Sequence, residues 1–103
     1  MLTLADQPEL AAEAANILKA VAHPLRLRIV DVLIAGDTHV GALAERLEVK
    51  QAIVSQQLRI LRMQGLVKVT RCDGLAVYSL AETHLRNLLG CVEGCLIQKG
   101  ATS

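Results

Sequence analysis

Residues 38 to 65 read THVGALAERLEVKQAIVSQQLRILRMQG, and the periodicity of this stretch decides the fold. In its first part Val40, Leu43, Ala44 and Leu47 recur at helical spacing; in its second, Val54, Leu58 and Leu61 form an apolar stripe. Only Glu48, Val49 and Lys50 lie between the two patterns, room for a tight corner and nothing more. Two short helices joined in this way predict a helix-turn-helix.

The outward side of the second helix carries Gln51, Ser55, Arg59 and Arg62, with Gln56 beside them. Gln and Ser donate to and accept from base edges, and Arg pairs with guanine or grips a phosphate. From Val49 to Cys72 the basic residues are Lys50, Arg59, Arg62, Lys68 and Arg71, and there is no acid. A polar helix face is most often a solvated one. A face of Gln, Ser and Arg without a carboxylate, on the second helix of a tight pair, points instead to double-stranded DNA. The whole chain is only +1, but that basic segment is +5 and the rest therefore −4, and phosphates meet local charge.

Downstream, LVKVTRCDGLAVYSL alternates apolar and polar residues on both sides of Asp73-Gly74, the two-residue turn of a hairpin. Lys68 and Arg71 are expected to project toward phosphate, so this wing positions the protein on DNA rather than reading sequence. Upstream, the first five residues carry no clear signal. Asp6-Gln7-Pro8-Glu9 reads as a helix start with Asp6 as cap and Glu9 completing a capping box. Leu10, Ala14, Ile17, Leu18 and Val21 then share a face. His23-Pro24 ends that helix and opens another over 24–35, expected to bury Leu25, Ile29, Val30 and Leu33 and to leave Arg26, Arg28 and Asp31 toward solvent or in surface pairs, with Gly36 as its stop. The fold class is thus mainly α with a small β-hairpin: a winged helix-turn-helix of about five helices and a two-stranded wing. A single domain over 1–103 is expected, with the helix-turn-helix at 38–65, the wing at 66–80 and a dimerisation and sensing helix at 81–98.

The segments AHPLRLRIVDVL, VGALAERL and QAIVSQQLRILRMQGLVKV, in this order, resemble the ArsR/SmtB family of winged-helix repressors, over about residues 17 to 89. The resemblance implies a homodimeric bacterial repressor released from its operator by a metal ion, a metalloid or a redox signal. The joint departs from the family pattern. Glu48 and Lys50 stand where relatives tend to have Gly and a small cap, at a cost of about 1 kcal/mol each. A chain of 103 residues with one aromatic, Tyr78, also gains from a partner surface.

Residues 81–98, AETHLRNLLGCVEGCLIQ, are expected to form the last helix, started by a capping box from Ser79 to Glu82. Leu85, Leu88, Leu89, Val92 and Leu96 make an apolar face wide enough to need a partner, and Leu85, Leu88 and Val92 are expected at the subunit seam. At about 100° per residue, His84, Leu88, Cys91 and Cys95 fall within roughly 60° of one another. Cys91 and Cys95 are neighbours one turn apart. His84 lies about 10 Å further along the axis, out of reach of an ion held at Cys95 in its own chain. By resemblance, the family's zinc-type site between subunits would fall on Glu82, His84, Cys95 and Gln98, of which Gln98 is a poor ligand. The helices bearing the cysteines of the best-known arsenic, cadmium and persulfide sensors contain no Cys here.

Free Cys is also a common core residue, so two small buried thiols are the bland reading of Cys91 and Cys95. Gly90 and Gly94 precede the two thiols, weaken the helix by about 1 kcal/mol apiece and clear space around sulfur. That pattern suits a soft ion such as zinc, cadmium or arsenite, or oxidation and persulfide chemistry. Cys72, in the wing, stands apart. No secretory or membrane segment is visible, so a cytoplasmic protein with free thiols is expected and no cofactor is required. Without a CxxC, a phosphate loop or a catalytic Cys/His/Asp arrangement, an enzyme is not expected. Two functions stay open: a repressor released at Cys91 and Cys95, possible metal ligands together with His84 and Glu82, or a winged-helix DNA-binding module controlled by a partner protein.

Overall fold

The computed structural model describes residues 3–100; residues 1, 2 and 101–103 of the expected domain lie outside the described residues. A short 3-10 turn (Leu4–Asp6) leads into α1 (Pro8–Val21), followed by α2 (Pro24–Ala35), α3 (Val40–Leu47), α4 (Gln51–Met63), the strands β1 (Val67–Cys72) and β2 (Leu75–Leu80), and α5 (Leu85–Gln98). These five helices and an antiparallel two-stranded sheet are the winged helix-turn-helix expected from the sequence.

Helix α2 is the hub, packing against each of the other four helices and β2. Its Ile29, Val30 and Leu33 meet Leu43 and Leu47 of α3, Val54, Leu58 and Leu61 of α4, Leu66 and Val67 at the sheet, and Leu85 and Leu89 of α5 in one core. Each fully buried Leu or Val contributes about 1.5–3 kcal/mol relative to exposure. Leu25 is half-buried at the rim.

The helix ends show how local chemistry sets the corners. His23 and His39 cap α2 and α3, their Nδ1 atoms accepting from the amides of Leu25 (3.1 Å) and Ala42 (3.2 Å). Helix α3 ends in a Schellman motif: Val49 N–H donates to Ala44 O and Glu48 N–H to Glu45 O, which places Glu48 in the left-handed region at φ 56°. Lys50 then precedes α4 with no side-chain cap, so both positions of the joint are filled by residues that do not favour them. Helix α4 ends in the same motif with a glycine: Gly65 (φ 72°) permits Leu66 N–H to reach Leu61 O at 3.0 Å.

In the wing, Asp73 and Gly74 both have positive φ and close the hairpin, with Val69 opposite Tyr78 and Cys72 opposite Leu75. The sequence did not announce a further pairing. Thr38, just before α3, exchanges both backbone hydrogen bonds with Tyr78 (3.1 and 2.7 Å), strapping the wing to the helix-turn-helix.

Four expectations need correction. Asp6 lies within the 3-10 turn and does not cap α1; the residue before that helix is Gln7, whose side chain makes no cap, so no capping box forms. Helix α5 starts at Leu85 rather than at 81, because β2 runs on to Leu80 and the backbone then turns through 81–84. Ser79 is therefore a buried strand residue, and Glu82 bonds the His84 amide instead of closing a capping box. Leu85, expected at the seam, is buried in the core of its own chain beside Leu89. Arg26 does not point to solvent: it is half-buried between α1 and α4, whereas Arg28 and Asp31 are exposed.

Candidate nucleic-acid interface and thiol pair

Packing of Val54, Leu58 and Leu61 fixes which side of α4 meets solvent. Gln51, Ser55, Gln56, Arg59 and Arg62 all stand on the exposed side, as does Lys50 before it. At about 100° per residue the set spans roughly 140° of the helix, its centre roughly 120° from the centre of the buried stripe. Ala52 and Met63 lie within the same arc and are exposed as well. Polarity does not single them out, although a methyl group can meet the methyl of thymine. Gln57 differs: it is half-buried on the inward flank and accepts from Arg26 Nη1 at 2.9 Å.

Lys68 and Arg71 are exposed on β1. Arg71 Nη1 donates to Gly74 O at 3.3 Å, which holds the guanidinium beside the hairpin tip. Two carboxylates border the basic segment, Glu48 at the joint and Asp73 at the tip, both exposed. The field is thus positive along α4 and the strand, with a negative residue at each boundary.

The exposed parts of α5 and α1 present different chemistry. Beyond Leu89 every described residue of α5 is exposed, including Val92, Leu96 and Ile97 (44, 48 and 62% accessible). On α1, Ile17 and Leu18 are exposed too. Val92 and Leu96 border an open groove against Leu27, Arg28 and Asp31 of α2 and stay about half exposed. A helical segment with two glycines and so little packing is marginal alone, since most helical stability comes from packing of the apolar face. Groups for such packing are present on both helices.

Cys91 and Cys95 are exposed on this segment, so they are not core residues of the protomer; Cys72 is exposed in the wing. Helical neighbours four apart hold their Cβ atoms about 5–6 Å from each other. A disulfide needs about 3.5–4.5 Å, so closing one within the chain requires the helix to unwind, whereas a single soft ion can bridge the two sulfurs with the helix intact. His84 and Glu82 sit at the other end of α5. Glu82 Oε1 accepts from the His84 amide (3.0 Å) and pairs with its Nδ1 (2.7 Å). The amide bond first, and then the imidazole, hold the Glu82 carboxyl below the usual carboxylate range. Among the described residues, no three His, Cys, Asp or Glu side chains of one chain converge on a common point. The structure brings together Glu82 with His84 and Cys91 with Cys95, and keeps the two pairs apart. A four-ligand site on them would require a second copy. No helix among the described residues is long and apolar enough to cross a membrane.

Residues 23–69 match the bacterial regulatory protein, arsR family. Over 88 residues the chain is 36% identical to the biofilm growth-associated repressor of Xylella fastidiosa (strain Temecula1 / ATCC 700964), spanning 85% of this chain and 77% of that protein. The crystal structure of the transcriptional repressor BigR from Xylella fastidiosa superposes with a TM-score of 0.81 at 34% identity, covering 91% of this chain and 96% of that one. A solution structure of a homodimeric winged helix-turn-helix DNA-binding domain, Mb0332 from Mycobacterium bovis, gives 0.81 at 27% identity, with 90% and 86% covered.

Proposed function

The chain belongs to the arsR family of bacterial regulatory proteins and is a DNA-binding transcriptional repressor, not an enzyme; from that premise we propose that it acts as a cytoplasmic homodimer, reads its operator with α4, and is released by a thiol-reactive signal at Cys91 and Cys95. The observation that carries the reading of DNA is the exposed, carboxylate-free arc of Gln51, Ser55, Gln56, Arg59 and Arg62. Lys50, Lys68 and Arg71 supply phosphate contacts on either side of it. A dimer sets two such helices one turn of B-DNA apart, about 34–36 Å, and so recognises two half-sites. Support for the dimer comes from the unsupported apolar residues of α1 and α5 and from the homodimeric relative.

The thiol pair lies on the helix with the least support inside the protomer, which suits it to a switch. A signal there acts by changing how the two subunits, and with them the two reading helices, are set apart. It must prefer the released arrangement, because equal affinity for both arrangements shifts nothing. A preference of about 3 kcal/mol weakens operator binding more than a hundredfold. The signal is a soft ion (zinc, cadmium or arsenite), an oxidant or a persulfide; for an ion, Cys91 and Cys95 would supply the thiolates, and His84 with Glu82 of a second copy could complete the set.

The test is the affinity of a fluorescent operator duplex for the parent, Cys91→Ser, Cys95→Ser and Cys72→Ser proteins. Each is measured alone and with zinc, cadmium, arsenite, peroxide or polysulfide. We expect all four to bind alike, with release lost in the two α5 variants and kept in Cys72→Ser. Release that survives in both α5 variants rules out the pair as the sensor.

A further inference from the structure

We infer that Arg26 is a positioning residue for DNA reading: its guanidinium fixes the rotation of α4 about its own axis against the last turn of α1. Arg26 Nε donates to Ala20 O and Nη2 to Lys19 O (3.4 Å), carbonyls at the end of α1, while Nη1 donates to Gln57 Oε1 on α4 (2.9 Å). Among the described residues this is the only side-chain-to-side-chain hydrogen bond that joins two helices. The planar fork of Arg offers donors in fixed, divergent directions, so one side chain sets two helices in a defined relation.

Apart from the backbone bonds that shape its two ends, the side-chain packing that seats α4 against the other helices is apolar. Val54, Leu58 and Leu61 fill the core at 0% exposure each and fix how deeply the helix sits. Apolar contacts of this kind resist a small roll weakly, and roll is what matters at the groove. Side chains reach about 5–6 Å from a helix axis, so a 10° roll moves a base-reading group by about 1 Å. Recognition tolerates about half an ångström or 10–20° before it degrades. Gln57 lies roughly 170° around the helix from the middle of the exposed arc, at about 100° per residue, so a bond there acts on the side away from DNA. The other end of the link is α1, whose Ile17 and Leu18 are exposed one turn before the carbonyls that Arg26 holds. Arg26 therefore ties the rotation of the reading helix to the helix proposed for the subunit seam.

The inference rests on the proposal that α4 reads the operator, and the test separates the two. The probes are the duplex that the parent protein enriches from a random-sequence pool and poly(dI-dC) as non-specific DNA. Arg26→Lys keeps the charge and loses the fork, and Gln57→Leu removes the acceptor. Each is expected to weaken binding to the enriched duplex about tenfold, the loss of one charge-assisted hydrogen bond, with affinity for poly(dI-dC) unchanged. The double variant should be no worse than Arg26→Lys alone, because both changes break one link. Gln57→Glu, whose carboxylate still accepts from Arg26, should restore discrimination. A merely structural role would lower resistance to urea and leave the ratio of the two affinities alone. That outcome overturns the inference, as do equal losses on both DNAs or additive losses in the double variant. If Arg26→Lys does not fold, the Gln57→Leu and Gln57→Glu pair decides by the same ratio. Gln56→Ala is the control. A selective loss there with none at Arg26 or Gln57 rejects the link alone; no loss at Gln56 rejects α4 as reader, and the inference with it.

Discussion

Replacing Glu48 with Gly should stabilise the protein, and the joint between α3 and α4 allows the size of the effect to be worked out. Glu48 has φ 56° and ψ 46°, held there because Val49 N–H and Glu48 N–H close the end of α3 onto Ala44 and Glu45. An L-residue in this region loses about 1–2 kcal/mol to contact between its Cβ and the backbone. Glycine avoids that contact but loses about 0.4–1 kcal/mol more chain entropy on folding. The Glu48 side chain is exposed and makes no hydrogen bond among the described residues, so nothing else is removed. The net gain is about 1 kcal/mol, which raises Tm by about 4–8 °C in a domain of this size. Thermal melts at one fixed protein concentration measure it, since association would otherwise shift the midpoint. Glu48→Ala is the necessary comparison: it removes the carboxylate and keeps the Cβ, so its Tm should stay near that of the parent. Equal gains in both variants would trace the effect to charge and refute the backbone argument, and a lowered Tm in Glu48→Gly would refute it directly.

Leu96→Glu places a charge on the unsupported part of α5, where it disturbs no core of the protomer; sedimentation should show monomers that bind the enriched duplex poorly, and a normal dimer would remove Leu96 from the seam. The depressed Glu82 carboxyl predicts a pH dependence with a definite sign: its contribution is present above the ordinary carboxylate range and is lost as pH falls through the folded-state value. Comparing urea unfolding of the parent and Glu82→Gln from neutral pH downward should show the difference shrink toward zero, and a difference that grows in acid contradicts the assignment.

Much of this architecture is legible in the chain because its causes are local. The two apolar stripes of 38–65, the Asp73-Gly74 turn and the break at His23-Pro24 each act within a few residues, and the helices and hairpin stand where they predict. What failed was competition between local signals. Ser79 to Glu82 has the spacing of a capping box, but pairing of Ser79 with Lys68 extends the strand and leaves Glu82 to bond His84. Periodicity also identifies an apolar face without saying what covers it, which is why Leu85 was expected at a seam and lies in its own core. Arg26 and Gln57 are 31 residues apart, and no pattern in the sequence connects them. On the exposed side of α4, the polar residues were visible from composition and spacing, whereas Ala52 and Met63 needed the helix in space. The thiol pair was visible as a spacing; its exposure was not.

The two backbone bonds between Thr38 and Tyr78 bear on how sequence preference can change over time. They anchor the hairpin well away from its tip, and Leu66 O closes its base by accepting from Ala81. Between anchor and turn, Thr70 to Ala76 serve neither the core nor the attachment, and all but Ala76 are exposed. Side-chain substitutions at Thr70, Cys72 or Leu75, which leave the positive-φ turn at Asp73 and Gly74 untouched, spare the core and, on the proposed reading, alter what the wing meets on DNA. The tip is in this sense a free variable. A lineage could exchange Leu75 for a cation, or remove the Asp73 charge with Asn, and move to new operators while α4 and the seam stay as they are.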